Sequence, residues 1–202
     1  MIVALEGIDG SGKTTIGRML AERLCCPFQV FPDRSTPIGK KLDLMMKAGR
    51  EHIDPLIFQA LQTMNRVECW AALTLPLVVC DRYIASAYVY GAADGLDQAT
   101  LRDLNAFLPS AALHILLRPP TEVCHARVKA RRQDDAYGQR KLGEMAHLQY
   151  LYDSLWNDHH GDSPGAVTWW KVLRVQEDTF AGSIVDECVR LVDAYLLAHA
   201  EA

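Results

Sequence analysis

Residues 7–15, GIDGSGKTT, have the composition and spacing of a loop that binds phosphate groups. Four residues separate Gly7 from Gly12, Lys13 and Thr14, and the glycines let successive backbone N–H groups turn toward one anion. The lysine would neutralise the β- and γ-phosphates of a nucleoside triphosphate, and the threonine hydroxyl would reach Mg²⁺. We therefore expect ATP and Mg²⁺ as cofactors, held by Gly7, Gly10, Ser11, Gly12, Lys13, Thr14 and Thr15.

Arginines and a carboxylate follow the other apolar runs that could form buried strands. Arg34 comes after the second run, Asp81 and Arg82 come after the third, and Arg66 ends a helical pattern. A guanidinium presents planar, paired donors that suit the charge of a phosphate monoester. A carboxylate at the end of a buried strand is placed to support Mg²⁺. These residues predict an acceptor that already carries phosphate, with Asp81 beside the metal.

The stretch RVKARRQDDAYGQRK, residues 127–141, is strongly basic. It has two interpretations, a solvated helix end with a polar loop, or a mobile lid that closes over bound phosphates. Closure would exclude water and bring an arginine to the oxygens of the transferring phosphoryl group, where phosphoryl transfer needs positive charge. We predict a lid over about residues 127–141.

These residues need a framework, and the chain alternates short apolar runs with helical patterns. The predicted strands are 1–6, 27–32, 75–80, 112–117 and 167–175. The predicted helices are 13–25, 36–48, 54–73, 97–107, 120–132, 139–157 and 179–199. Such alternation predicts an α/β fold, here a five-stranded parallel sheet with helices on both faces. Ligands of such sheets bind at the carboxyl ends of the strands, which is where the polar residues fall.

The whole-chain composition narrows the class of protein. A length of 202 residues, half of them hydrophobic, predicts a single domain over 1–202. The net charge of −4 has both signs interspersed, which argues against a nucleic-acid partner. No apolar run is long enough for a membrane span, and the six cysteines lack a C-x-x-C pair. We expect a cytoplasmic protein with reduced thiols and a small-molecule substrate.

The order of these motifs resembles that of the thymidylate kinases, the nucleoside monophosphate kinases that convert dTMP to dTDP. The resemblance rests on the phosphate loop, F-P-[acid]-R-S-T at 31–36, Asn65-Arg66 at a helix end, D-R-[aromatic] at 81–83 and the basic stretch. It covers most of the chain. It implies the architecture of the P-loop nucleoside monophosphate kinases with a lid, ATP-dependent phosphorylation of dTMP in deoxynucleotide biosynthesis, and a homodimer.

The resemblance also implies roles for individual acceptor-site residues. Arg34 and Arg82 would hold the acceptor phosphate, and Arg66 would reach the base. Asp9 is an unusual acid beside phosphates, and the matching family acid contacts the sugar of the acceptor or the metal-bound water. We therefore expect Asp9 to position the acceptor.

Four further residues are expected around the sugar and the base. Tyr90 matches a position that lies against the 2′-carbon, where a ring leaves no room for a ribose hydroxyl. Ser86, one helical turn earlier, could bond to the base or the sugar. Gln62 occupies the position of the Phe that usually stacks on thymine, and Phe58 lies one turn before it. Either Phe58 takes the stacking role and dTMP stays the best acceptor, or the pocket accepts other deoxynucleoside monophosphates, purines included.

The phosphate loop helps to identify the catalytic arginine. Some thymidylate kinases carry a basic residue where this chain has Gly10, so the resemblance is to the class in which the lid supplies the arginine. Arg131 is the first choice and Arg132 the second. The chain departs from the common lid pattern D-R-x-E, because residues 135–138 read Asp-Ala-Tyr-Gly.

Three other functions fit part of the sequence. A GTPase switch usually carries an N-K-x-D motif, and the chain has none. A deoxynucleoside kinase accepts a neutral hydroxyl and needs a carboxylate base after the second strand, where this chain has Asp33 and Arg34. A non-enzymatic nucleotide-binding module would produce no ADP with any monophosphate.

Overall fold

Five parallel strands form one sheet in the order β2-β3-β1-β4-β5 in the computed structural model. The structure describes residues 1–49, 52–131, 140–158 and 168–200. The strands are β1 (Ile2–Glu6), β2 (Phe28–Val30), β3 (Val78–Asp81), β4 (Leu113–Arg118) and β5 (Trp169–Arg174). The predicted fold class is confirmed, because each predicted strand is present within a few residues of its expected ends.

Helices connect the strands and cover both faces of the sheet. They are α1 (Lys13–Arg23), α2 (Pro37–Ala48), α3 (Pro55–Glu68), α4 (Trp70–Leu73), α5 (Ile84–Ala93), α6 (Gln98–Asn105), α7 (Thr121–Arg131), α8 (Leu142–Asp158) and α9 (Ala181–Ala198). Pro37 and Pro55 each stand in the first turn, after Thr36 and Asp54, whose side chains accept hydrogen bonds from the first free N–H groups. None of the described helices is long and apolar enough to cross a membrane.

Two helix predictions differ from the structure. The predicted helix 54–73 is divided at Cys69 into α3 and α4. Helix α5 was not predicted, because its sequence IASAYVYGAA is apolar on nearly every side and has no 3.6-residue pattern. The helix is apolar on nearly every side because it packs against α3, α6 and α8.

The register of the sheet brings the polar loops together. Leu5 of β1 pairs with Asp81 of β3, and Glu6 pairs with Leu116 of β4. The chain passes from one side of β1 to the other between β3 and β4, and such a change of direction opens a crevice at the carboxyl ends of the strands. The loops after β1 and β3 therefore face the same crevice.

The hydrophobic core has a layer on each face of the sheet. On one face, Val3 and Leu5 pack with residues of α1 and α9. On the other, Ile2 and Ala4 pack with Phe31, Leu73 and Tyr83. Because alternate residues of β1 are buried on opposite faces, the central strand is apolar throughout until Glu6, and a rigid strand end positions the loop that follows.

Candidate active site

The phosphate loop leads from β1 into the first turn of α1 and surrounds a buried lysine. The Nζ atom of Lys13 donates to the carbonyl oxygens of Gly7 (2.9 Å) and Ile8 (2.8 Å) and to Ser11 Oγ (3.3 Å). Burial, and after it the nearby Arg82 guanidinium, lowers the pKa of Lys13 to about 8. The lysine is therefore held close to the loop backbone with a pKa nearer to neutrality than that of an ordinary lysine.

The surroundings of Gly10 explain why this loop carries no basic side chain at residue 10. Its φ is +81°, and a Cβ atom there would lie 2.4 Å from the carbonyl oxygen of Cys124 in α7. Any side chain would clash with helix backbone, so the loop and α7 pack directly together. An arginine reaching the phosphates must therefore come from another element.

A hydroxyl and a carboxylate meet beside the loop. Thr14 Oγ1 donates to Asp81 Oδ2, and Asp81 Oδ1 is buried with no hydrogen-bond partner among the described residues. Among the same residues, no group of three His, Cys, Asp or Glu side chains could hold a metal by itself. Magnesium in nucleotide sites uses one or two protein oxygens and completes its shell with phosphates and water. The predicted pair therefore fits Mg²⁺ that arrives with a nucleotide.

Arg82 and Asp9 form the ion pair at the centre of the cleft. Arg82 Nη2 donates to Asp9 Oδ1, its guanidinium lies over the ring of Tyr90 at 5.0 Å, and the Tyr90 hydroxyl donates to Asp9 Oδ2 at 3.4 Å. Burial opposes the charge, but Tyr90 and Asp9 outweigh it and raise the pKa of Arg82. The guanidinium thus stays charged although it is partly buried.

The backbone at Arg82 is strained and is held by β1. Its φ is +69°, a conformation that non-glycine residues rarely adopt. The Arg82 N–H donates to Leu5 O (2.9 Å), and the next N–H, of Tyr83, donates to Glu6 Oε1 (2.8 Å). These bonds aim the arginine across the crevice.

The other two predicted arginines line the same cleft in different environments. Arg34 is half-exposed, and its Nε donates to Asp43 of α2 at 3.1 Å. Arg66 is buried; Nη2 donates to Tyr83 O at 3.1 Å and Nη1 to Asn105 Oδ1 at 3.5 Å, while Nε has no partner among the described residues. Arg34 is therefore more accessible to a ligand than Arg66, which is buried and bonded to the protein on both Nη groups.

One cleft of about 500 Å³ joins all these groups. Its wall away from the phosphate loop is helix α3, which presents Phe58, Gln59, Gln62 and Arg66. Phe58 is buried and packs on Leu42 and Met46, while Gln62 is partly exposed. Thus both residues expected around the base line the cleft.

Helix α7 and the segment before α8 add arginines to the cleft. Arg127 Nη1 donates to Gly10 O at 3.4 Å, and Arg131, the last residue of α7, lines the same cleft. Arg140 donates to Asp9 Oδ2 at 3.3 Å and lies over Tyr90 at 5.6 Å. Arg132 and positions 135–138 lie outside the described residues. The role of Arg132 as a catalytic arginine therefore stays a prediction.

Sequence reasoning missed three residues of this site. Glu6 is fully buried and accepts hydrogen bonds from Tyr83 N–H and Ser86 Oγ; the signal was a carboxylate ending an apolar strand. Gln59 lies three residues before Gln62 and seven before Arg66, on the same helix face. Arg140 had been counted only as part of the basic stretch.

The fold and the cleft define a P-loop nucleoside monophosphate kinase, since a triphosphate loop faces an arginine-lined acceptor site across one crevice. The sequence model of the thymidylate kinase family matches residues 5–161, and the chain belongs to that family.

Individual relatives agree with this assignment. A probable thymidylate kinase of Pyrobaculum aerophilum is 31% identical over 144 residues, covering 67% of this chain and 73% of the relative. One from Methanocaldococcus jannaschii is 29% identical over 155 residues, covering 75% and 80%. The thymidylate kinase structure from Candida albicans has a TM-score of 0.72 at 20% identity, over 98% of this chain and 93% of that one, which shows the shared fold. The predicted family is confirmed, and the chain is a nucleoside monophosphate kinase enzyme.

Proposed function

We propose that this enzyme transfers the γ-phosphoryl group of ATP to the phosphate of dTMP, giving dTDP and ADP. The observation that carries the proposal is the single cleft with Lys13 on one side and the Arg82–Asp9 pair on the other. A donor triphosphate and an acceptor monophosphate would meet there in line, with the reacting oxygens already desolvated.

The donor side has three roles. Lys13 would leave the carbonyl groups of the loop for the β- and γ-phosphates of ATP. Thr14 and Asp81 would hold Mg²⁺, whose chemistry is to neutralise charge on the bridging phosphate oxygens. The unpartnered Oδ1 of Asp81 supports this role, because a buried carboxylate oxygen needs a cation or a donor.

The acceptor side needs positive charge and no general base, since the attacking oxygen belongs to an anion. Arg82 and the half-exposed Arg34 would bind the phosphate of dTMP, and Asp9 would keep Arg82 oriented and contact the sugar. Tyr90 would lie against the 2′-carbon and favour deoxynucleotides.

Asp33 argues against a hydroxyl acceptor. It follows β2, where a deoxynucleoside kinase would need a base. Its burial disfavours ionisation, but hydrogen bonds from Ser35 and Gln29 outweigh this and lower its pKa. A carboxylate with a lowered pKa is a poor proton acceptor, because general bases work best with a pKa near the working pH.

Closure would complete the charge around the transferring group. We assign that role to Arg131 at the end of α7, with Arg132 as the second choice, and we propose that residues 127–141 form a lid within a single domain spanning 1–202. Arg127, which already touches the phosphate loop, would assist from a fixed helix position.

The base would lie between α3 and α5. Phe58, which lines the cleft, would supply the apolar contact that the family resemblance assigns to a stacking Phe, with Gln62 beside it. We propose dTMP as the best acceptor, with weaker activity on at least one other deoxynucleoside monophosphate.

The test compares kcat/KM for dTMP, dUMP, dCMP, dAMP, dGMP and thymidine with ATP and Mg²⁺. We expect dTMP to rank first, dUMP to follow about 10- to 200-fold lower because it lacks one methyl group, and thymidine to give no product. Lys13→Ala should lose turnover by a factor of about 10³ or more while the far-UV circular dichroism spectrum stays the same. A wild type that prefers a purine monophosphate would overturn the substrate, and one that phosphorylates thymidine would overturn the acceptor class.

A further inference from the structure

The side-chain amide of Gln59 has no hydrogen-bond partner among the described residues. The residue is 2% exposed and lines the cleft. Nearby, Thr63 donates to Asn105, and Asn65 bonds to Asp33 and Thr36. The amide atoms of Gln59 are not among the fully buried unpaired atoms, so its small accessible area lies at the amide and opens into the cleft, where a ligand can supply the missing hydrogen bonds.

Its place on α3 puts this partner at the base rather than the phosphate. Gln59 lies two helical turns before Arg66 and one before Gln62, with Phe58 next to it. The phosphate-binding candidates lie across the cleft, at the ends of β1, β2 and β3. Gln59 and Arg66 face the cleft from the same side of α3, so both can approach the base.

The groups near Gln59 do not supply an acceptor for every hydrogen-bond donor of a thymine ring. A thymine ring presents a carbonyl acceptor, O4, next to an N3–H donor. Arg66 has only donors and can satisfy O4 but not N3–H. The Ser86 hydroxyl donates to Glu6, accepts from Arg82 Nη1 at 3.3 Å and lies 2.9 Å from the Tyr152 hydroxyl, so its bonding capacity is taken up within the protein. An acceptor for N3–H is then offered by an amide oxygen of α3, and Gln59 is the buried, unpartnered one.

We propose that Gln59 is a specificity-determining residue whose side-chain amide hydrogen-bonds the N3–H edge of the acceptor base. This rests on the proposed function and deepens it. Gln62, on the same helix face but partly exposed, contacts the ring without reading its edge.

The experiment pairs a change in the protein with a change in the substrate. Gln59→Met and the matched control Gln62→Met each replace an amide by an apolar chain of similar length. Each is assayed with dTMP and with its isostere in which difluorotoluene, which has no comparable hydrogen-bonding edge, replaces thymine. The coupling between protein and base is the change in the ratio of the two kcat/KM values.

We expect Gln59→Met to lower kcat/KM for dTMP about 10- to 100-fold, through KM, with kcat within about threefold of wild type. The ratio of dTMP to isostere should fall about tenfold or more in Gln59→Met and stay within about threefold in Gln62→Met. The melting temperature of Gln59→Met should be equal to or above that of wild type, because an unpaired buried amide has been removed.

Three results would overturn the inference. They are an unchanged ratio in Gln59→Met, a loss of ratio in Gln62→Met alone, or a drop in melting temperature that accompanies the loss of activity. In each of these cases a wild type that uses dTMP leaves the proposed function intact. A wild type inactive with dTMP removes the proposed function itself, and the inference with it.

Discussion

Lys13 shows how burial tunes a residue before any ligand arrives. The residue is 5% exposed, and its ammonium group bonds to two loop carbonyls and a hydroxyl. Burial is the largest cause that lowers its pKa to about 8, and the positive charge of Arg82 adds to it. Bound polyphosphate favours the charged form, so ATP binding should raise this pKa again.

The resulting prediction concerns pH. Above about pH 8 the free enzyme loses the Lys13 proton, so ATP binding must recover a proton and its Kd should rise up to about tenfold per pH unit. Isothermal titration calorimetry in two buffers of different ionisation enthalpy would measure the uptake. Lys13→Arg, which stays charged, is the control and should bind with no slope between about pH 8 and 9.5. A flat wild-type profile would contradict the lowered pKa.

Glu6 is the second buried titratable residue of the site. Its carboxyl group accepts a hydrogen bond from the Tyr83 N–H and so holds the chain next to the strained backbone of Arg82. Burial raises the pKa of Glu6, although bonds from Ser86 and Tyr83 and the charge of Arg82 partly oppose the rise. A carboxyl group with a raised folded pKa keeps its proton in the folded state when the unfolded chain has lost it. Stability therefore falls as pH rises from about 4.5 through the folded pKa.

Glu6→Gln removes this titration while retaining an acceptor for the Tyr83 N–H. The unfolding free energy of the variant minus that of wild type should grow as pH rises from about 4.5 through the folded pKa, by about 1.4 kcal/mol for each unit by which the pKa is raised. Urea denaturation at a series of pH values measures the difference, and other carboxylates cancel from it. A difference that shrinks as pH rises would show that Glu6 ionises more easily when folded.

Among the secondary-structure elements, α7 connects the phosphate loop to Arg131. Gly10 packs against the backbone of Cys124, and Arg127 reaches back to the Gly10 carbonyl one helical turn later. Arg131 follows after another turn and lines the same cleft. Because helix spacing places positions 127 and 131 on one face, a rigid α7 can direct both arginines at the donor phosphates.

Arg131→Ala should therefore affect chemistry more than binding. We expect kcat to fall about 100-fold or more, since a donor to the transition-state charge is lost, while the Kd for ATP rises less than about fivefold. Rapid-quench single-turnover kinetics would separate the two. Lys129→Ala, exposed on the same helix and outside the cleft, is the control and should behave as wild type. If Arg132→Ala alone lowers kcat, the order of the two candidates is reversed.

At the scale of the whole molecule, α3 has a second face that is apolar and exposed. Ile57 (58% exposed) and Met64 (47%) lie two turns apart, and Leu44 of α2 is 68% exposed. Trp70 of α4 is also exposed, at 41%, whereas Met46 and Cys69 are buried. Exposed apolar groups on neighbouring helices favour the homodimer that the family resemblance implies, and we propose that α2 and α3 form its interface.

Ile57→Glu should therefore convert a dimer into a monomer in light scattering coupled to size exclusion, because a carboxylate would be desolvated in the interface. Leu197→Glu is the matched control, since Leu197 of α9 is 76% exposed. It should leave the mass unchanged. A monomeric wild type, or dissociation by both variants, would argue against this interface.

The sequence by itself determined the fold class and the donor side of the site. Alternating apolar runs and helical patterns specify a parallel sheet because both signals are local, and the phosphate loop is a contiguous motif whose geometry follows from its glycines. Asp81 and Arg82 could be placed at the crevice because they directly follow a buried strand. Local pattern did not predict α5, because its sequence is apolar on nearly every side and has no helical period. That composition suits a helix that packs against three other helices.

Only the tertiary structure decided which distant side chains meet and how they are charged. Three features of the site depend on how separate elements pack. They are the pairing of Arg82 with Asp9, the burial of Glu6 against Tyr83 and Ser86, and the lack of a described partner for Gln59. Hydrogen-bond partners and desolvation depend on distances of a few ångströms between such elements, and sequence spacing carries no information at that scale. A glutamine in a helix therefore says little, whereas a glutamine that lines a cleft and has no partner among the described residues indicates where a ligand can hydrogen-bond.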